Sequence, residues 1–314
     1  MIKSSITLTR REAARLIGGA AAAVSLWPIS ARPAPTATSA QLLRAIPSTG
    51  EKIPALGLGT SQTFDVGHSP NERGPLREVL RRFVELGGKV VDTSPMYGRA
   101  EEVIGDLTSD LKVRDSLFLA SKVWTTGKKE GIESIERTAS LLQTKRLDLM
   151  QVHNLIDLDV QLATLRAWKE EGRIRHIGIT HYVESSFPAV EKILQREKLD
   201  FLQINYSIAE RGAEERILPL AREKGVAVLV NRPFARGNLF SRLRAQPLPK
   251  WTVEFDCKSW AQFLLKWILA NTAVTCAIPA TSKAGHLEDN MGAGTGRLPD
   301  EKMRQRMVQA ISSL

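Results

Sequence analysis

Residues 147–180 read LDLMQVHNLIDLDVQLATLRAWKEEGRIRHIGIT, in which two apolar runs flank an amphipathic segment. The runs 147–154 and 175–180 are short and rich in Val, Ile and Leu, which favours strands buried on both faces. Segment 162–171 has helical periodicity and ends at Gly172, a residue suited to a left-handed helix cap. The stretch therefore predicts a β-α-β unit with two parallel strands.

The same alternation extends along the chain in both directions. Six further apolar runs are candidate strands, at 55–60, 89–94, 117–123, 201–207, 226–233 and 275–281. Amphipathic segments at 75–86 and 132–143 predict helices, and Gly87 and Gly225 are further candidate caps. Eight strands alternating with helices are typical of an α/β protein with a single (β/α)8 TIM barrel.

A doubly wound sheet is the competing architecture. It would show a GxGxxG turn after its first strand, whereas Gly57-Leu58-Gly59-Thr60 lacks the third glycine, so the barrel is favoured. Residues 235–258 show little periodicity and predict a long connection that walls the site.

Composition excludes several classes of protein. The 314 residues are 43% hydrophobic and 25% charged, which is globular rather than disordered. The 44 basic and 34 acidic residues give a net charge of +10, but no basic run interleaved with aromatics indicates nucleic-acid binding. Cys257 and Cys276 are expected to be free and buried, and no Cys/His spacing indicates a metal site.

The first 40 residues have the pattern of a signal peptide. Arg10 and Arg11 precede an apolar core, residues 16–27, and a tract of small residues follows. The core is too short for a stable membrane span, and the segment resembles a twin-arginine (Tat) signal, although Ala13 and Ala14 replace the usual bulky apolar residues. We expect residues 1–40 to be a Tat-like signal peptide with a short linker, read by the Tat export machinery. Residues 41–314 would then form the barrel of an exported, periplasmic protein.

Polar residues end three neighbouring strands. Asp92 and Tyr97 follow the second strand, Lys122 ends the third, and His153 ends the fourth. Barrel active sites lie at the carboxyl ends of the strands, so these four side chains are expected to converge. An ammonium near a phenol lowers its pKa, a carboxylate orients the ammonium, and a histidine can donate to a carbonyl oxygen. The set predicts acid–base chemistry on a carbonyl or alcohol, with any hydride coming from a cofactor.

From residue 46 to residue 292 the sequence resembles the aldo-keto reductase family. The motifs that carry the resemblance are LGLGT at 56–60, DTSPMYG at 92–98, SKV at 121–123, QVHN at 151–154, IGIT at 177–180, QINYS at 203–207 and IPATS at 278–282. The resemblance implies a catalytic tetrad of Asp92, Tyr97, Lys122 and His153. Tyr97 would act as general acid, with its pKa lowered by Lys122, and His153 would orient the substrate.

The resemblance also implies NADP(H) bound without a Rossmann fold, with NAD(H) as the alternative. The implied cofactor-binding residues are Thr60, Thr180, His181, Gln203, Tyr206, Pro233, Phe234, Arg236, Gly237, Thr281, Ser282, Lys283, His286 and Asn290. Asn231 replaces the aromatic residue that usually stacks on the nicotinamide, for which Tyr206 or Phe234 would compensate. Ala280 and His286 replace the usual basic residues near the 2′-phosphate, which leaves Lys283 to supply the charge.

The predicted activity is NADPH-dependent reduction of an aldehyde or ketone by a monomer. Phe64, Trp124 and Trp251 are candidates for an apolar substrate pocket. One alternative is an exported NADP(H)-binding redox sensor that docks on a partner without significant turnover. Another is a barrel enzyme in which Lys122 forms a Schiff base with its substrate.

Overall fold

All eight predicted strands form in the computed structural model, which describes residues 40–313. A short antiparallel hairpin, which the sequence analysis did not predict, precedes them. The hairpin strands are β1 (Leu43–Ala45) and β2 (Lys52–Pro54). The parallel strands are β3 (Leu58–Gly59), β4 (Val90–Asp92), β5 (Phe118–Val123), β6 (Leu147–His153), β7 (Ile174–Thr180), β8 (Phe201–Asn205), β9 (Ala227–Asn231) and β10 (Cys276–Ala277).

Helices connect the strands. They are α1 (Pro70–Glu85), α2 (Ala100–Asp110), α3 (Lys128–Leu141), α4 (Leu158–Glu170), α5 (Phe187–Arg196), α6 (Ile217–Glu223), α7 (Asn238–Leu243), α8 (Trp260–Leu269), α9 (Ala284–Gly292) and α10 (Glu301–Ser312). The glycines expected to cap helices, Gly87, Gly172 and Gly225, have φ of 83°, 74° and 65°. These left-handed values favour glycine, so the predicted caps are confirmed.

The parallel strands pair in chain order from β3 to β10, and the sheet curls until its two edges meet. There, Ala277 N donates to Ala55 O and Gly57 N donates to Ala277 O, both at 2.9 Å. Parallel bridges pair Leu56 with Ala277 and Gly59 with Ala280. This architecture fits a (β/α)8 barrel.

Side chains alternate between the two faces of each strand, so every second residue points into the barrel. The interior apolar cluster contains Val90, Phe118, Ala120, Leu149, Phe201, Ala227, Leu229, Cys276 and Ile278. Ile46 and Ile53 of the hairpin belong to the same cluster and close the barrel at the amino ends of the strands. The interior is therefore packed at that end, and polar side chains occupy the other.

The connection at 235–258 differs from the prediction. It contains α7 and two 3-10 turns, Ala235–Gly237 and Lys250–Phe255, rather than an irregular loop. The predicted signal peptide lies outside the described residues, apart from Ala40. Among residues 40–313, no helix is long and apolar enough to cross a membrane.

Candidate active site

The alternation that buries apolar residues in the lower barrel places polar ones at its mouth. Val90 faces the barrel interior, so Asp92, two residues later on β4, faces it as well. On β5, Ala120 faces the interior, and therefore Lys122 does too. Leu149 places His153 on the inner face of β6, and Phe201 places Gln203 on that of β8. Three of the four predicted tetrad residues therefore project into the barrel at the carboxyl ends of adjacent strands.

Lys122 and Asp92 form a buried ion pair. Lys122 Nζ donates to Asp92 Oδ1 at 2.9 Å, to Asp92 Oδ2 at 2.8 Å and to the carbonyl oxygen of Thr93 at 2.6 Å. Burial alone would lower the pKa of Lys122, but the negative charge of Asp92 outweighs it and the pKa is raised. The lysine is therefore a fixed positive charge held by three acceptor atoms.

Asp92 is held by a wider network. Gln203 Nε2 donates to Asp92 Oδ1 at 2.7 Å, and Thr180 Oγ1 donates to Gln203 Oε1 at 2.8 Å. Thr60 Oγ1 donates to the backbone carbonyl of Asp92 at 2.9 Å. Three residues predicted to bind the cofactor thus also hold Asp92: Gln203 bonds its carboxylate, Thr180 holds Gln203, and Thr60 bonds its backbone.

Tyr97 lies above this pair on the loop after β4. Lys122 Nζ is 5.3 Å from the centroid of its ring. Burial raises the pKa of the Tyr97 phenol, and the charge of Lys122 opposes this without reversing it. The net direction is opposite to the lowering expected from the sequence, because the ring is withdrawn from water. The phenol is protonated at neutral pH, as a proton donor must be.

His153 is neutral. Its Nδ1 lies 3.3 Å from Ser94 Oγ, and burial together with the charge of Lys122 lowers the pKa of its imidazole to about 3. A neutral imidazole carries one N–H, so His153 can donate a hydrogen bond without carrying a charge.

Glu101 lies behind Lys122 and was missed by the sequence analysis. The carboxylate is buried in the first turn of α2, where it accepts from Ser121 Oγ at 2.6 Å and from Thr138 Oγ1 at 3.0 Å. Burial raises the pKa of this carboxyl group. Apolar periodicity could not have found it, because a buried acid occupies a position that the helix pattern assigns to an apolar residue.

A cleft of about 480 Å³ lies beside the mouth. Five predicted cofactor residues line it: Phe234, Gly237, Thr281, His286 and Asn290. Phe240, Arg244 and Trp260 also line it and were not predicted. Lys283 is the N-cap residue of α9 and forms no side-chain cap, so the first-turn N–H groups have no side-chain acceptor. Ser282 is half-buried in the turn before α9.

Two other predicted cofactor residues, Pro233 and Arg236, follow β9, the first buried and the second exposed. A second concavity, of about 430 Å³, is lined by four glutamates and one arginine, Glu184, Glu210, Arg211, Glu214 and Glu215, and its excess of negative charge does not suit an anionic nucleotide.

One cofactor prediction needs correction. Tyr206 is fully buried, with its ring 5.0 Å from that of Trp267 and its hydroxyl 2.8 Å from Arg304 Nη2, so it cannot stack on a nicotinamide. His181 is half-buried, and its Nδ1 accepts from Tyr182 N at 3.0 Å while Nε2 lies 3.0 Å from Ser186 Oγ, so its cofactor contact stays a prediction.

The three residues predicted to line a substrate pocket differ in their exposure. Trp124 directly follows β5 and is 47% exposed, and Met96 beside Tyr97 is 41% exposed. Phe64 is fully buried in the core and has no surface for a substrate. Trp251 is half-buried and packs on Phe255 and on the guanidinium of Arg306, 4.3 Å from its ring. The prediction for Phe64 is therefore corrected, and that for Trp251 stays a prediction.

The comparisons with known proteins agree with this geometry. A model of the Aldo/keto reductase family matches residues 55–308. A methylglyoxal reductase of Escherichia coli, YeaE, is 28% identical over 245 residues, which are 76% of this chain and 84% of the relative. A solved aldo-keto reductase from Klebsiella pneumoniae in complex with NADPH is 26% identical, with a TM-score of 0.71 over 87% of this chain and 95% of the other. An aldo-keto reductase from Bacillus halodurans, 24% identical, has the same TM-score over 86% and 96% of the two chains and shares the fold.

Proposed function

Because this chain belongs to the aldo/keto reductase family, a family of oxidoreductases, we propose that it reduces an aldehyde or ketone to an alcohol with NADPH. The observation that carries the proposal is the buried Lys122–Asp92 pair beneath the protonated phenol of Tyr97. This arrangement suits transfer of a proton to a carbonyl oxygen at the barrel mouth.

The mouth fits a nicotinamide dinucleotide. Buried amide oxygens of Asn205 and Asn231 have no hydrogen-bond partner among the described residues, and such atoms are costly unless a ligand or water satisfies them. In the neighbouring cleft, the uncapped N–H groups of α9 and the side chain of Arg244 suit a phosphate. NADPH supplies a hydride when it is bound. The solved Klebsiella relative with NADPH supports the choice of cofactor.

The chain's own residues would then transfer the proton, stabilise the charge that develops and orient the substrate. The Tyr97 hydroxyl donates its proton to the carbonyl oxygen as negative charge develops there. Lys122 stabilises the resulting phenolate, and Asp92 keeps the lysine in place. The neutral imidazole of His153 donates a hydrogen bond to the same oxygen. The exposed side chains of Met96 and Trp124 provide an apolar surface for the rest of the substrate.

The test is oxidation of NADPH by the mature chain with a simple aldehyde, compared with Tyr97→Phe. Loss of a general acid costs about 10²–10⁴ in rate. NADPH binding, followed by fluorescence, should be retained in the variant because only one hydroxyl is removed. Equal rates in the two proteins would contradict the role of Tyr97. Bound NADPH without turnover by the wild type would favour the sensor alternative instead.

The buried ion pair argues against the Schiff-base alternative. A lysine that attacks a carbonyl must first lose a proton, whereas Lys122 is held by three acceptor atoms and its pKa is raised. Borohydride reduction in the presence of an aldehyde should leave no adduct on Lys122, as mass spectrometry of the digested protein would show.

We also propose that the protein is exported to the periplasm through its Tat-like signal. Support comes from Arg10-Arg11 and from the apolar segment after them. Replacing both arginines by lysine should retain the chain in the cytoplasm, whereas replacing Lys3 by arginine should not. Immunoblots of periplasmic and cytoplasmic fractions would measure this, and equal export of the double variant would contradict the proposal.

A further inference from the structure

Arg232 is a cation at the barrel mouth that the sequence analysis did not use. It follows the last residue of β9 and reaches across β8 to the loop after β7, where Nη1 donates to Tyr182 O at 3.1 Å. Its guanidinium lies 3.9 Å from the centroid of the Tyr182 ring, a cation–π contact that fixes its plane. The neighbouring Asn231 Nδ2 donates to His181 O at 3.1 Å, so two adjacent residues hold the same loop.

The charge of Arg232 is not neutralised locally. No carboxylate lies within 4.0 Å of it in residues 40–313, whereas Lys122 and Arg304 pair with carboxylates and Lys266 is bound to backbone carbonyls. A guanidinium has five N–H groups, and the bond to Tyr182 O uses one. The charged groups that act on Arg232 include Arg236, which repels it, and Glu210, which attracts it from a longer distance.

The backbone beneath Arg232 is held in an unfavourable conformation. Its φ is 49°, and Ala235 and Arg236 follow with 47° and 58°. Left-handed values in residues with side chains persist only where the surrounding structure imposes them, and they concentrate at binding sites. The segment thus places the guanidinium in a defined position rather than leaving it in solvent.

Arg232 and the proton donor share one end of the barrel, because Arg232 follows the carboxyl end of β9 and Tyr97 follows that of β4 in the same parallel sheet. The positive charge of Arg232 favours a lower pKa for the phenol of Tyr97 and for the imidazole of His181. Trp124 and Met96 offer apolar surface at the same strand ends. A molecule whose carbonyl meets Tyr97 can therefore place an anionic group against Arg232.

We propose that Arg232 binds the carboxylate of the substrate, so that the enzyme prefers carbonyl compounds that carry a carboxylate. This inference rests on the proposed function, because it takes Tyr97 as the point where the carbonyl binds. Planar guanidinium and carboxylate groups pair through two parallel hydrogen bonds, for which Arg232 has free N–H groups. Stacking on Tyr182 orients the plane before the substrate arrives.

The test compares 4-carboxybenzaldehyde with benzaldehyde, and glyoxylate with acetaldehyde, as anionic and neutral substrates of matched shape. For the wild type, kcat/KM should favour the anionic member of at least one pair. In Arg232→Gln this preference should fall by roughly tenfold to a hundredfold, the worth of a charged hydrogen bond. Arg232→Lys should lose less, since it keeps the charge but not the planar fork.

Arg242→Gln is the matched control, because Arg242 is exposed on α7 and lines neither the mouth nor the cleft. It should leave the preference unchanged. An unchanged preference in Arg232→Gln, or none in the wild type, would overturn the inference. A weaker affinity for NADPH in Arg232→Gln with the preference retained would also overturn it, by assigning the guanidinium to the cofactor.

A binding measurement separates this inference from the proposed function. Calorimetry would compare 4-carboxybenzyl alcohol with benzyl alcohol on wild type and Arg232→Gln in the presence of NADP⁺. Loss of the anion's advantage in the variant supports the carboxylate site even if no carbonyl is reduced. Equal affinities in both proteins would contradict it whether or not turnover is seen.

Discussion

At the scale of single residues, the Lys122–Asp92 pair combines a structural and a chemical role that mutation can separate. Lys122→Met leaves the buried carboxylate of Asp92 without its cation. An uncompensated buried charge is strongly destabilising, so we expect the free energy of unfolding to fall by about 3–5 kcal/mol and reductase activity to be lost. Urea unfolding and NADPH oxidation would measure the two effects.

The double variant Asp92→Asn/Lys122→Met is the control. It removes both charges, and the amide oxygen that it introduces can still accept from Gln203, so most of the lost stability should return while activity does not. If Lys122→Met is as stable as the wild type, the pair has no structural role. If the double variant is active, the lysine is not needed for the chemistry.

His153 should make stability depend on pH. Its folded-state pKa of about 3 lies below the unfolded value of about 6.5, so the unfolded chain binds a proton more readily between these values. Its contribution to stability is complete above pH 6.5 and is lost as the pH falls towards 3, at about 1.4 kcal/mol per pH unit in the middle of that range. Urea unfolding from pH 7 to pH 4.5 should therefore show a shallower decline for His153→Gln than for the wild type.

Parallel declines in the two proteins would contradict this assignment. His176 adds the same pH dependence of stability to both proteins, because burial lowers its pKa as well and the substitution leaves it in place. Only the difference between the two slopes reports on His153.

Residue spacing predicted the chemistry of the site better than its electrostatics. Asp92, Lys122 and His153 were placed from the ends of apolar runs, because strand alternation fixes which side chains point inward. The raised pKa of Tyr97 depends on burial at the mouth, and Tyr206 is covered by Trp267 of α8 and Arg304 of α10, which lie far along the chain. A linear pattern does not contain that information.

At the scale of elements, Gly105 marks a close approach of α2 to the end of α3. A Cβ atom at this position would lie 1.9 Å from the carbonyl oxygen of Leu141, which is backbone and cannot rotate away. Gly105→Ala should therefore lower the free energy of unfolding by about 1–3 kcal/mol, despite the better helix propensity of alanine. Urea unfolding would measure the change.

Gly285 in the first turn of α9 provides the comparison. A Cβ atom there meets no heavy atom within 4 Å, so Gly285→Ala should leave stability unchanged or raise it by up to about 1 kcal/mol. If both glycines respond alike, helix propensity rather than contact between α2 and α3 governs the effect.

Element types were predictable and element lengths were not. The run 275–281 forms only the two-residue strand β10, because its remaining contacts with the other sheet edge are single bridges. Residues 235–258 gave no periodic signal, since α7 has six residues and the flanking turns are 3-10. The β1–β2 hairpin was missed because its strands have three residues each, too few to show alternation.

At the scale of the whole molecule, Arg44 joins the hairpin to the barrel wall. Its Nη1 donates to Asn271 O at 2.8 Å, and its guanidinium also bonds the carbonyls of Leu269 and Val274, at and beyond the end of α8. Arg44→Ala would leave these carbonyls without their donor, and we expect a loss of about 3 kcal/mol in the free energy of unfolding. Arg44→Lys should lose less, because it keeps one donor group.

Thermal and urea unfolding of the two variants would test this. The activity of Arg44→Ala below its unfolding temperature should match the wild type, because the hairpin lies at the end of the barrel opposite Tyr97. A stable Arg44→Ala protein with impaired activity would show instead that the two ends of the barrel communicate.

The hairpin also fixes where the chain enters the fold. Leu42 N donates to Gly294 O at 2.7 Å and Gln41 packs near Gly87, so the polypeptide arrives at the sealed base of the barrel. A fusion partner, purification tag or electrode linker attached ahead of residue 40 would be joined to the molecule at the base of the barrel. Immobilised in this way, the catalyst would present its open end to the bulk solution, where reactants arrive without obstruction.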